Sequence, residues 1–364
     1  MYTFKVDSCA LSIPLSKCEI VDQELQDHFR DIRINETTGE ATEVKAYQGK
    51  PFKIDYEDGI SVKIWIETQI TYDTTLKKKS NEKYITLLAN SKHLKSDYFK
   101  GITKETIKQH YDFIMSLNAF KCPYSSYINA RYSDIDICFD FKCNEENFII
   151  LKENIKKSAL EPLYFHTTNE IDNSGIWTPT RSKPRDQATP SKPYIKFYSK
   201  ELDFLNKSRK FATKYVDYKE YKDVVRYECT IKNSKHKKRL NVNNYPTFIS
   251  FLNSDLQFIG KQIFAEYFKK AKFVKSIGLK PMDKAVIDMI NDLIEYGAPK
   301  TKIQGYFDRY DVSPKARLRL LDKYHKFYAE NVINKERMEA NQITKNVFEF
   351  LGVDLSQTKI DFED

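Results

Sequence analysis

Ser133-Asp134-Ile135-Asp136-Ile137-Cys138-Phe139-Asp140-Phe141 is the stretch whose reading decides the fold. Apolar and polar residues alternate along it, and a strand turns successive side chains to opposite faces. Ile135, Ile137, Phe139 and Phe141 therefore share one face; Asp134, Asp136, Cys138 and Asp140 share the other. Similar runs lie on both sides of it. Phe4–Ile13 tends to alternate and stops at Pro14, Val62–Ile70 alternates, and Tyr84–Ala89 is a shorter candidate. Tyr194–Tyr198 and Val224–Ile231 follow. Between them, Thr103 reads as the N-cap of a helix running to Leu117, and Glu146–Ser158 reads as a second helix. Residues 167–192, with Pro179, Pro184 and Pro190, read as a long loop. This order predicts an α+β fold over residues 1–244: an antiparallel sheet with helices packed on one face. Residues 245–353 turn helical, through Thr247–Leu252, Leu256–Phe273, Met282–Tyr296, Lys302–Tyr310, Pro314–Asn331 and Lys335–Leu351. They predict an all-α domain, and residues 354–364 a short acidic tail.

Composition removes several functions. The 364 residues contain no run near the roughly 20 apolar residues of a membrane helix. No basic segment followed by a long apolar run opens the chain, so a cytoplasmic protein is expected. The six Cys are irregularly spaced without a CxxC pair, which fits a reducing compartment and neither a disulfide scaffold nor a zinc site. None of the six His forms an HxH or HxxxH pair. The glycine-rich phosphate loops GxGxxG and GxxxxGK[ST] are absent. The net charge of +9 is concentrated: Ser191–Leu240 carries fifteen Lys/Arg against six Asp/Glu, and the remainder carries 45 of each. Nine aromatic residues, from Tyr194 to Tyr227, interleave with those charges. Two readings stand here, a solvated basic face over core aromatics, or a surface where cations meet phosphates and rings stack on bases.

Three groups of residues could carry chemistry. Asp134, Asp136 and Asp140 on one strand face repel one another, and Mg²⁺ or Mn²⁺ would relieve that repulsion; a plain solvent-facing strand is the other reading. Arg226 and Glu228 share a strand face, as a simple ion pair or as a phosphate clamp and a further metal ligand. Lys196, Tyr198 and Lys200 alternate onto one side, where positive charge would favour a phenolate at Tyr198. If they converge, these groups supply a tyrosine nucleophile, a metal on carboxylates and cations for the phosphate charge.

The same residues carry a resemblance. Val225-Arg226-Tyr227-Glu228-Cys229-Thr230-Ile231-Lys232 is similar to the V-R-[FY]-E-x-x-[IL]-K strand of the rolling-circle replication initiators of the filamentous-phage gene II/gene X type, which also occur on small plasmids. Basic Lys235, Lys237, Lys238 and Arg239 follow it. Tyr198-Ser199-Lys200-Glu201-Leu202, Asp134-Ile135-Asp136, the opening Asp7 to Leu15, and Asn90–Lys95 running into Gly101 resemble further segments of that family in the same order. The resemblance covers roughly residues 1–250. It implies an origin-specific, metal-dependent endonuclease that nicks one strand, joins a tyrosine to the 5′ phosphate, and later recloses the displaced strand. Tyr198 would be the nucleophile, with Asp136 and Glu228 as ligands of Mg²⁺ or Mn²⁺ and Asp134 and Asp140 as auxiliary carboxylates. Lys200 and Arg226 would face phosphate, and Lys196, Lys232, Lys235, Lys237, Lys238 and Arg239 would contact DNA. Double-stranded origin DNA, single-stranded DNA, and a host helicase and polymerase would be the partners, with no membrane. The better-known initiators of this mechanism hold the metal with an HxH pair, which this chain lacks, so an acidic site is expected. Tyr194 and Tyr215 remain alternative nucleophiles. The rival reading is a DNA-binding initiator or regulator without catalysis, with a helix-turn-helix over Ile303–Tyr310 and Pro314–Tyr324.

Overall fold

The computed structural model describes residues 2–29, 32–34, 41–43, 51–73, 78–160, 175–177, 193–232, 234–268, 271–273, 313–353 and 355. Twelve strands lie among them: β1 (Lys5–Pro14), β2 (Glu19–Ile20), β3 (Ile32–Ile34), β4 (Ala41–Glu43), β5 (Phe52–Asp55), β6 (Ser61–Asp73), β7 (Lys78–Asn90), β8 (Phe120–Lys121), β9 (Arg131–Lys142), β10 (Gly175–Trp177), β11 (Tyr194–Ser199) and β12 (Val224–Ile231). Eight of them form one sheet in the order β10-β11-β12-β9-β1-β7-β6-β5, with every neighbouring pair antiparallel. Strand β9, which carries the alternating aspartates, lies between β12 and β1.

The alternation builds one face as expected. Val6, Ile137, Cys229 and Ile195 lie in one cross-strand row, and Phe139, Tyr227 and Phe197 in the next. All seven are buried. Helix α10 (Leu256–Ala265; α1 to α9 are the preceding helices Gln23–His28, Ile107–Ser116, Tyr124–Ile128, Glu145–Ser158, Lys200–Lys207, Arg209–Tyr215, Tyr218–Tyr221, Ser234–Arg239 and Phe248–Leu252) covers that face. Phe264 meets the rings of Phe197 and Tyr227 at 6.4 and 5.9 Å. Gly260 permits the approach, because a Cβ there would lie 2.3 Å from the Phe4 ring.

The opposite, polar face is covered too. Tyr98, in a 3-10 segment over Ser91–Lys100, hydrogen-bonds Arg226 on β12 and packs against Phe204 of α5 and Phe211 of α6. The α+β antiparallel sheet is therefore present, but helical elements flank both of its faces. Several boundaries differ from the expectation. The helix predicted from Thr103 begins at Ile107, because Thr103 and Thr106 bond each other in a preceding turn. The span read as a loop contains β10, and the basic stretch contains α5, α6 and α7. Of the predicted aromatic interleaving, Phe197, Phe204, Phe211 and Tyr227 are core residues.

The chain forms two compact units, one of residues 1–142 and 161–267, the other of 143–160 and 268–364. The expected boundary at 244 falls inside the first unit, which holds α9 and α10 as well as the sheet. In the second, α4 packs with α11 (Pro314–Phe350), a single helix where two were expected. Asn154, fully buried, donates to Asn341 at 2.9 Å and Thr344 at 2.8 Å there. The predicted helices over 282–296 and 302–310, the first half of the helix-turn-helix, and nearly all of the acidic tail lie outside the described residues.

Candidate active site

Register turns the polar face into a grid. Tyr194, Thr230, Asp136 and Ser8 form one row across β11, β12, β9 and β1. Lys196, Glu228, Cys138 and Lys5 form the next, and Tyr198, Arg226 and Asp140 the third. Cross-strand neighbours in a ladder sit within side-chain reach, so residues far apart in sequence converge.

Two clusters result. In the first, the Tyr198 hydroxyl donates to Glu228 Oε2 at 2.8 Å, and Lys196 Nζ donates to Glu228 Oε1. Glu228 is 4% exposed and Tyr198 8%. Asp136 is the diagonal neighbour of Glu228, and its oxygens accept from Ser8 Oγ at 2.7 Å and from Thr230 Oγ1. Burial, and then the Glu228 charge, push the Asp136 carboxyl up to about 7. Burial and the same Glu228 push the Tyr198 phenol well above its usual range. The expected phenolate is thus reversed. Lys196 is engaged by Glu228, and Lys200 donates to Asp203 at 2.8 Å. Strand β11 ends at Ser199, whose hydroxyl caps α5, so Lys200 leaves the strand alternation. Its ammonium still lies 5.3 Å from the Tyr198 ring centroid and 5.2 Å from that of Tyr98.

In the second cluster, Arg226 is fully buried. Its Nε and Nη2 donate to Asp140 at 2.7 and 3.0 Å, and Nη1 donates to Asp7 at 2.7 Å and Tyr98 at 2.9 Å. Lys5 donates to Asp140 at 2.5 Å. Burial works against the Asp140 charge, but Arg226 and Lys5 hold its carboxyl well below the usual range. Arg226 and Asp140 thus neutralise each other, where the expectation put one against phosphate and the other beside a metal.

Asp134 leaves the group for a different reason. The β1–β9 register shifts between Ser8 and Ala10, and Asp134 has φ +47°. One extra residue on β9 breaks the period of two, so Asp134 does not continue the Asp136–Asp140 row pattern. It is exposed, near the charges of Lys232 and Lys237. Among the described residues, no three His, Cys, Asp or Glu side chains are grouped to hold a metal ion. Asp136 and Glu228, diagonal neighbours on this face, are two carboxylates, and Mg²⁺ is commonly held by one or two carboxylates with water and substrate phosphate completing its shell.

The DNA-contact candidates divide. Lys232, Lys235 and Lys238 are exposed. Lys237 donates to the Tyr132 carbonyl and lies over that ring, and Arg239 pairs with Glu266 at 2.5 Å. Tyr194 shares the polar face, 9% exposed, whereas Tyr215 ends α6 against Phe211. Sequence reasoning missed Lys5, Asp7, Ser8, Tyr98 and Thr230. One signal was present: consecutive polar Asp7 and Ser8 break the alternation of β1, where the register shift between Val6 and Ser8 places both on the site face. No protein-family model matches this chain, and no curated protein matches its sequence. No helix among the described residues is long and apolar enough to cross a membrane.

Proposed function

We propose that this protein is a metal-dependent, site-specific DNA nickase and strand transferase that initiates rolling-circle replication. The observation that carries the reading is the hydrogen bond from the Tyr198 hydroxyl to buried Glu228. A tyrosine with a raised pKa needs a proton acceptor to become a nucleophile, and a carboxylate at 2.8 Å is placed as one. In the proposed step, Tyr198 Oη attacks a backbone phosphorus while its proton passes to Glu228 Oε2. The P–O3′ bond breaks, leaving a 5′ phosphotyrosine, and the departing O3′ takes a proton from water to become the free 3′ hydroxyl that primes synthesis. Attack by the 3′ hydroxyl of the displaced strand reverses the chemistry and closes a circle. Asp136 and Glu228 would hold Mg²⁺ or Mn²⁺, which supplies charge stabilisation to the phosphate oxygens. Lys232, Lys235 and Lys238 offer the exposed cations for the flanking strand. Arg226 keeps a positioning role: with Asp7, Asp140 and Tyr98 it fixes β12 two residues from Glu228.

The test is nicking of supercoiled circular DNA carrying the cognate origin, with and without Mg²⁺, followed by denaturing electrophoresis. The expected result is a metal-dependent nick and a covalent protein–DNA band lost in Tyr198→Phe and kept in Tyr194→Phe. A band that persists in Tyr198→Phe moves the nucleophile elsewhere, and normal nicking by both Asp136→Asn and Glu228→Gln removes the acidic metal site.

A further inference from the structure

Each of the two oxygens of Glu228 already accepts a hydrogen bond. Oε2 accepts from Tyr198, and Oε1 accepts from Lys196 Nζ. The Asp136 oxygens accept as well, from the hydroxyls of Ser8 and Thr230. Hydroxyls can rotate and turn a lone pair toward a cation, so they need not leave when one binds. An ammonium has no lone pair and carries the same sign of charge as the metal. It has to leave.

Lys196 can do so. Its side chain is 27% exposed, against 5% for Glu228. It is long and unbranched, and its charge also acts on Asp136. A unit charge a few ångströms from a divalent ion weakens binding of that ion by about tenfold even in water. A DNA phosphate arriving at Tyr198 offers the ammonium another partner on the same face.

Resting on the nickase reading, we propose that Lys196 is a built-in competitor of the divalent cation at Glu228 Oε1. It keeps the carboxylate neutralised while DNA is absent and transfers to the substrate phosphate when DNA binds, so that metal and DNA load together. Lys196 is then a second active-site cation, distinct from the exposed lysines that follow β12.

The test measures Mn²⁺ binding to the full-length protein without DNA, by the electron paramagnetic resonance signal of unbound Mn²⁺. Thermal melting confirms that each variant is folded. Lys196→Met should bind Mn²⁺ about tenfold more tightly than wild type. Lys196→Gln should behave like Lys196→Met, and Lys196→Arg like wild type. A short single-stranded oligonucleotide should tighten Mn²⁺ binding in wild type and do so much less in Lys196→Met. Should Lys196→Met fail to fold, the Gln variant answers the same question. Equal or weaker Mn²⁺ binding by the neutral variants overturns the competition while leaving the metal site standing; it would make Lys196 a support for the Glu228 carboxylate. Absence of Mn²⁺ binding by every folded variant at millimolar concentration, with and without DNA, overturns the metal reading and this inference with it.

Discussion

Asp136 and Asp140 share one face of β9, four residues apart, and their neighbours treat them in opposite ways. Asp140 meets Arg226 and Lys5; Asp136 meets two hydroxyls and the charge of Glu228. Folding raises the Asp136 pKa from 3.8 to about 7, so between those values the unfolded chain loses its proton first. The stability contributed by this group therefore falls as pH rises through that window and is lowest above it. For Asp140 the shift is downward, so its contribution is present above the ordinary carboxylate range and is lost as acid protonates it. Asp136→Asn should consequently melt higher than wild type at pH 8, with the gain vanishing near pH 4. Asp140→Asn should lose about 1–3 kcal/mol at pH 8, since it leaves buried Arg226 with Asp7 as its one carboxylate partner, and the loss should shrink in acid. Melting curves of both variants across that pH range check the assignment; a loss at pH 8 for Asp136→Asn would mean that its carboxylate is held by more than repulsion allows.

Irregular strands, more than regular ones, shape the site. The bulge in β1 places Asp7 and Ser8 on the same side, one bound to Arg226 and one to Asp136. The irregularity in β9 is set at Asp134 in a left-handed conformation, which Asp tolerates and β-branched residues resist. Asp134→Val should lose roughly 1–2 kcal/mol in urea unfolding, while Asp134→Gly should match or exceed wild type. Because Asp134 stands apart from the Asp136–Glu228 pair, Asp134→Gly should also nick at the wild-type rate. A large loss of nicking in a stable Asp134→Gly protein would return that carboxylate to the metal site. The bulges were only faintly legible in the sequence. The polar pair at Asp7-Ser8 marks one, but nothing in Ser133-Asp134-Ile135 marks the other, since it is imposed by pairing with β1.

Across the whole molecule, the surplus charge between Ser191 and Leu240 proves to be of two kinds. Lys196, Lys200, Arg226 and Lys237 are engaged by neighbouring groups, whereas Lys232, Lys235 and Lys238 are exposed, as is Arg239, which pairs with Glu266. If the three exposed lysines meet DNA, replacing all three with Gln should flatten the fall of log K with log[salt] by about 0.9 for each duplex phosphate that is no longer neutralised. The slope is measured by titrating labelled origin DNA at several salt concentrations, and an unchanged slope would make these lysines a solvated surface. From the residues alone came the period-two alternation of β9, β11 and β12, hence an antiparallel sheet with one apolar face, together with the place of the surplus charge. Alternation is a local property of the strand, and six or eight residues suffice to display it. Which polar residues meet was settled by the folded sheet. Tyr198 and Glu228 are 30 residues apart, and Arg226 and Asp7 are 219 apart. Their pairing depends on strand order, register and bulges, which arise from the partner strand and are written in no single segment. For that reason Arg226, read from its strand as a cation for phosphate, ends as the buried partner of two aspartates, and the acceptor for the Tyr198 proton appears only once β11 and β12 lie side by side.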